Sequence, residues 1–200
     1  YSVNIIDAYD RRTSINPDRR QNRQAICKAL ITCWHTLGIP CYLQMDNQLS
    51  LRGSNQFPHS FGAVIRLCLY MGIQPLFIPI REPWRNGIIE HFQNVFDKLF
   101  FRSQHFKDFD SLCEKAKEFE PFHNQNHQYS NLKGLTPNEK YSGNGKQLSA
   151  SFRFPDRLLI SPGYIHLIRF IRSDGILDVF GEKYTLTREL EYEYIWVTID

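Results

Sequence analysis

The chain has 200 residues, of which 42% are hydrophobic and 14% aromatic. That is enough apolar material for one ordinary domain with a small appended module, and too much for a disordered chain. No run of eighteen apolar residues and no charged-then-apolar leader occurs, so nothing is expected to span a membrane or direct secretion. The net charge of +3 is unevenly spread: residues 151–200 hold six Lys/Arg against eight Asp/Glu, and the positive excess lies before them. Arg11, Arg12, Arg19, Arg20 and Arg23 crowd into a short stretch there, which fits either a polyanion partner such as DNA or a solvated basic turn. Five cysteines without a CxxC pair, set among apolar neighbours, read as reduced core cysteines of a cytosolic protein.

In chain order, YSVNIIDAYDRRTSI reads as two short strands around Asp10–Arg12, with β-branched and aromatic residues and no helical stripe. From about Arg20 to Leu37 the apolar residues Ala25, Ile26, Ala29, Leu30, Cys33, Trp34 and Leu37 recur at helical spacing, and Gly38 stops the helix. CYLQMD is a short buried strand ending at Asp46, followed by a loop to Pro58. An amphipathic helix then runs to Met71, closed by Gly72. IQPLFIPI is another strand, and helices are predicted over about Trp84–Phe101 and Phe109–Asn124. Alternating strands and helices imply an α/β sheet with helices packed on it. After Gly143-Asn144-Gly145 the texture becomes five short strands without a helix, which suggests a small all-β barrel over 151–200, separate from a core over 1–145.

Phosphoryl transfer with two divalent ions needs hard oxygen ligands close together. Asp46 stands at the C-terminal end of a predicted strand, where α/β sheets present their sites. Glu90 stands one turn inside a helix that begins after Pro83, so the two carboxylates are candidates to converge. The plainer alternative is that Asp46 caps a turn with Asn47 and that Glu90 is a solvated helix residue.

The segment MDNQLSLRGSNQFPHSFGAVIRLCLYMGIQPLFIPIREPWRNGIIEHF contains an Asp-Asn pair at a strand end, a helix, a strand ending in Pro, and Asn-Gly-x-x-Glu-x-Phe. It resembles the catalytic core of DDE-type bacterial insertion-sequence transposases and retroviral-type integrases. FHNQNHQYSNLKGLTPNEKY resembles the same family's exit from its last core helix into a Thr-Pro turn, and the likeness spans nearly all of residues 1–142. It implies an RNase H-like core in which Asp46 and Glu90 are two of three acidic ligands for Mg²⁺ (or Mn²⁺), with Asn86 beside the active site and DNA. Arg11, Arg12 and Arg85 are the further DNA-contact candidates. Two departures stand out. Gln48 replaces the Gly that often follows Asp-Asn, and the 43 residues between Asp46 and Glu90 exceed the commonest spacing, with the surplus in LSLRGSNQFP.

Asp7 is the obvious third ligand, but Asp7-Ala8-Tyr9-Asp10-Arg11 resembles the family's later Ile-Asp-Asp-Tyr-Ser-Arg strand rather than its first, Asp-x-Thr strand. The resemblance therefore implies that the first sheet strand, with its Asp, lies upstream of residue 1. His123 and His127 have H-x₃-H spacing without a second ligand pair, and are expected at the DNA-facing end of the last core helix or on the surface. By the same resemblance the parent enzyme cuts and joins transposon ends and target DNA as a homo-oligomer in a transposome, in bacterial cytoplasm at the nucleoid. Two rivals stay open: a non-catalytic DNA-binding or assembly remnant, and an RNase H-like nuclease without strand transfer.

Overall fold

A computed structural model describes residues 1–53, 60–143 and 145–200. Positions 54–58 of the expected loop, position 59 at the expected start of the next helix, and position 144 of the Gly-Asn-Gly step lie outside them. The first half contains β1 (Ser2–Ile6), β2 (Thr13–Pro17), α1 (Arg23–Thr36), β3 (Tyr42–Met45), α2 (Leu49–Arg52), α3 (Ala63–Tyr70) and β4 (Gln74–Phe77). Then come α4 (Gly87–Phe96), α5 (Phe109–Asn126), α6 (Pro137–Lys140), β5 (Ile165–Phe170), β6 (Ile176–Val179), β7 (Glu182–Thr185) and β8 (Tyr194–Ile199). The class is mixed α/β, as expected. The chain divides into two compact units, Tyr1–Ile39 with Gly87–Phe152, and Pro40–Asn86 with Arg153–Asp200.

In the first unit, β1 and β2 form an antiparallel hairpin in register from Ser2↔Pro17 to Ile6↔Thr13. Asp7 organises its turn: Oδ1 accepts the backbone N–H of Tyr9 at 2.7 Å and of Asp10 at 3.0 Å. α1 begins at Asn22, whose side chain accepts from the N–H groups of Gln24 and Ala25, as a good N-cap residue should. It ends where Gly38 takes a left-handed φ of +101°, a conformation that costs glycine little. The buried stripe Ala25, Ile26, Ala29, Leu30, Cys33 and Trp34 is the predicted one except for Leu37, which is the half-buried C-cap residue.

The helix expected over Trp84–Phe101 is three local structures in series: a 3₁₀ turn at Pro83–Asn86, then α4, then a π-helical turn at Asp97–Phe101. Phe92, Phe96 and Phe100 are spaced by four. In an α-helix each such step overshoots a turn by about 40°, so the row would walk off its face. The wider π turn returns Phe100 to Phe96, with ring centroids 4.8 Å apart. These rings form a core with Ala116 and Phe119 of α5 and Ile15 of β2.

The outer edge of β2 is closed by side chains one helical turn apart on α5. Asn124 Oδ1 accepts Thr13 N–H at 2.9 Å while its Nδ2 donates to Thr13 O at 3.0 Å. Glu120 Oε2 accepts Ile15 N–H at 2.6 Å. Side-chain amides and carboxylates thus occupy the positions a further strand would take, which protects the edge.

In the second unit the sheet order is β3-β4-β5-β8, with β3, β4 and β5 parallel and β8 antiparallel to β5. The core is made by Val64, Ile65, Leu67 and Cys68 of α3 with Phe77, Ile165 and Leu167, all fully or almost fully buried. Here the structure corrects the sequence reading. Residues 151–200 form four strands, not five, and no barrel closes: β5 and β8 extend the β3–β4 sheet, and β6 and β7 form a separate hairpin. β4 lies between β3 and β5, and β5 pairs with it through Leu76↔His166 and Phe77↔Leu167, so the backbone polar groups of this buried strand find partners on both edges.

All five cysteines are free. Burial pushes the Cys27 thiol up to about 11 and the Cys33 thiol up to about 12, so both are inert core thiols. Cys41, expected in the core, is exposed.

Candidate functional site

Asp46 follows the C-terminal end of β3, beside the end of the parallel strand β4, as the sequence predicts. Its Oδ1 accepts the N–H of Gln48 at 3.0 Å, so one oxygen shapes the turn that α/β sites commonly use. The neighbouring Asn47 ties the strand ends together. Its Nδ2 donates to Ile78 O at 2.7 Å, and its Oδ1 accepts from Arg169 Nη2 at 3.0 Å. Arg169 of β5 is 4% exposed and also donates to the backbone oxygens of Ile168 and Asp178, at 2.9 and 3.1 Å. Burial pulls its pKa down to about 10, partly offset by the charge of Asp178. Arg169 was missed from the sequence because its partner lies 122 residues away; an Arg in the same strand register as Ile165 and Leu167 was the available signal.

Asn86 ends the 3₁₀ turn, and its Oδ1 accepts from Gln44 Nε2 of β3 at 2.8 Å. Arg85 is exposed, yet its guanidinium bonds Glu82 at 3.0 Å and lies 4.4 Å over the Tyr194 ring, whose hydroxyl also donates to Glu82. Glu90 is exposed in the first turn of α4, where the helix dipole favours an acidic residue. Asp46, Asn86 and Arg85 belong to the second unit, whereas Glu90, Arg11 and Arg12 belong to the first.

The oxygen chemistry of Asp46 and Glu90 suits Mg²⁺. Among the described residues, however, no group of three or more His, Cys, Asp or Glu side chains is placed to hold a metal. Two carboxylates carry too little charge to bring two cations together, so the described residues do not by themselves fit a two-ion centre. Asp7 does not fill the gap visibly, because its carboxylate is engaged by two backbone N–H groups.

Two sequence expectations need correction. Arg12 is not a surface cation. It is 8% exposed, pairs with buried Asp10 at 2.9 Å, donates to Leu37 O at 3.1 Å and stacks 3.4 Å from the Tyr141 ring centroid. That is a structural clamp, and leaving Asp10 unpaired would be costly. His123 is not at the surface either: it is 1% exposed, with Nε2 3.1 Å from the Tyr129 hydroxyl and its ring stacked on His127. Arg11 adopts a left-handed φ of +68° and donates to Ala8 O. Arg20 and Arg23 remain exposed, as does Arg19, which sits over Phe109 and 3.6 Å from Asp110.

No helix among the described residues is long and apolar enough to cross a membrane. No protein-family model matches the chain, and no curated protein matches it either.

Proposed function

We propose that this chain is catalytic-core sequence of a DDE-type transposase or integrase, with an RNase H-like fold, that cuts and joins DNA by phosphoryl transfer. The observation that carries the reading is the placement of two carboxylates. Asp46 sits at the end of a parallel strand, and Glu90 sits in the first turn of the helix that follows the next strand, entered through Asn86-Gly87. In this reading Asp46 and Glu90 are ligands of Mg²⁺ or Mn²⁺, Asn86, Arg11 and Arg85 lie along DNA, and the enzyme works as an oligomer on transposon ends and target.

The test is strand transfer by the chain, expressed with whatever coding sequence adjoins it, using a duplex bearing a free 3′ hydroxyl, a plasmid target and Mg²⁺. Asp46→Asn and Glu90→Gln should each slow joining by roughly a hundredfold or more, as loss of metal-site groups does. Undiminished joining by either variant removes that residue from the site. Cleavage without joining would identify the nuclease reading instead.

A non-catalytic DNA-binding or assembly protein is favoured by one observation, the lack of a three-ligand group among the described residues. On that reading Asp46→Asn leaves DNA affinity unchanged and no divalent ion elicits chemistry. For the 200-residue chain itself, both readings predict no Mg²⁺-dependent cleavage. Cleavage that disappears on Asp7→Asn would make Asp7 a ligand.

A further inference from the structure

Beside the end of β4 and the β6–β7 hairpin, the second unit contains a cavity of about 490 Å³, within the range that small-molecule sites occupy. Four cations line it: Arg81, Arg169, Arg172 and Lys183. Arg169 is buried, and the acceptors of its N–H groups are backbone oxygens and the Asn47 amide, with no carboxylate among them. Its N–H groups are therefore held by dipoles, and the nearby charge of Asp178 offsets its own only in part. The side chains of Arg81, Arg172 and Lys183 are exposed, and none makes a hydrogen bond or ion pair with another described residue.

The carboxylates of the same wall are in a different position. Glu82 is held by Arg85 and Tyr194, Asp174 accepts the N–H of Ile176 at 3.1 Å, and Asp178 accepts the N–H of Gly181 at 3.0 Å. Each is tied into the fold but keeps its charge, so the wall carries four cations against three carboxylates, and three of the cations are uncommitted. Arg81 also holds a left-handed φ of +65°, a strained backbone state that proteins tend to retain where a ligand is gripped. The remaining wall is apolar, with Ile80, Phe170 and Ile176 all partly open to solvent. Cations next to an exposed aromatic ring suit a phosphate carried on a ring-bearing body.

We propose that this cavity binds a nucleoside phosphate, either a free nucleotide or a nucleotide within a DNA strand, with Arg81, Arg172 and Lys183 on the phosphate and Phe170 beside the base. The cavity adjoins one DNA contact proposed above, because its wall residue Glu82 is held by Arg85, but the residues assigned to the phosphate and the base are not among those contacts.

The test uses the whole 200-residue chain with three probes: AMP, adenosine and a single-stranded oligonucleotide, followed by calorimetry and competition. AMP should bind at least about tenfold more tightly than adenosine, and Arg172→Gln with Lys183→Gln should weaken AMP by about tenfold per cation removed. Both substitutions are at exposed positions, so unfolding is not expected, and melting in buffer alone checks it. Oligonucleotide that displaces AMP identifies a strand as the source. AMP binding without displacement identifies a free nucleotide. Binding of neither probe, or binding that is indifferent to the double substitution, overturns the site. Because binding rather than joining is read, failure here is distinguishable from failure of the transposase reading.

Discussion

His123 has its imidazole enclosed by Phe92 at 5.0 Å, by His127 at 4.9 Å and by Tyr129, with Thr13 and Asn124 near Nδ1. Burial first, and the neighbouring His127 second, push its pKa from 6.5 down to about 4. The unfolded chain therefore takes up a proton at this residue well before the folded chain does. Its stabilisation is complete above about pH 6.5 and fades as pH falls toward 4, by roughly 3 kcal/mol across that window. Glu120, whose pKa burial raises, acts in the opposite sense at the acid end. Urea melts at pH 7.5, 6, 5 and 4.5 should show the decline, and His123→Gln should flatten it; an equal slope in that variant would assign the effect to other groups. The arginines separate by the same logic of burial. If Arg19, Arg20 and Arg23 meet DNA phosphates, neutralising them should shallow the salt dependence of duplex binding by nearly one unit of slope each. Arg12→Gln should instead lower stability by about 3 kcal/mol or more, because it strands buried Asp10. Slopes unchanged by the exposed set would make those arginines ordinary solvated surface.

Among the elements, α4 with its π turn depends most on one repeated residue. Phe96 stacks on Phe92 and Phe100 and meets Phe119 edge-on at 5.9 Å. Phe96→Ala should cost about 3–5 kcal/mol, read as a lower urea midpoint with an unchanged m-value; a loss under 1 kcal/mol would mean that the cluster collapses readily around the gap. α1 was legible from sequence because its stripe, its Asn22 cap and Gly38 all agree. The β1–β2 hairpin was legible because two β-rich runs flank a polar turn. The long helix was only half legible, since an apolar stripe does not distinguish α from π winding, and the residues after Pro83 begin as 3₁₀. Closure of the β2 edge by Glu120 and Asn124 was not legible at all. Those side chains lie more than a hundred residues from Thr13 and Ile15, and a helix face with Glu and Asn reads locally as solvated.

For the whole molecule, the change of texture near 143–151 was read as a boundary between consecutive domains. The second unit is instead assembled from two distant segments, Pro40–Asn86 and Arg153–Asp200, and the chain passes between the units three times. Alternation along a strand reports which face is buried, not which strand lies alongside, so the pairing of β4 with β5 could not be inferred from the residues of either. This pairing has a consequence that separates the two organisations. If residues 153–200 were an appended module, deleting them would leave β3 and β4 intact. In the sheet found here, deletion strips β4 of a hydrogen-bonded neighbour, uncovers Phe77, and removes the Arg169 bonds to Asn47 and Ile78 that fasten the strand ends beside Asp46. A chain ending at Phe152 should therefore lose protection of the β3 and β4 amides against hydrogen exchange by at least about a hundredfold, because local opening of a half-built sheet costs little. The α1 amides, in a unit that keeps all of its segments, should stay protected. Full protection of β3 and β4 in the shortened chain would restore the view of 153–200 as a separable domain, and with it the sequence-based boundary.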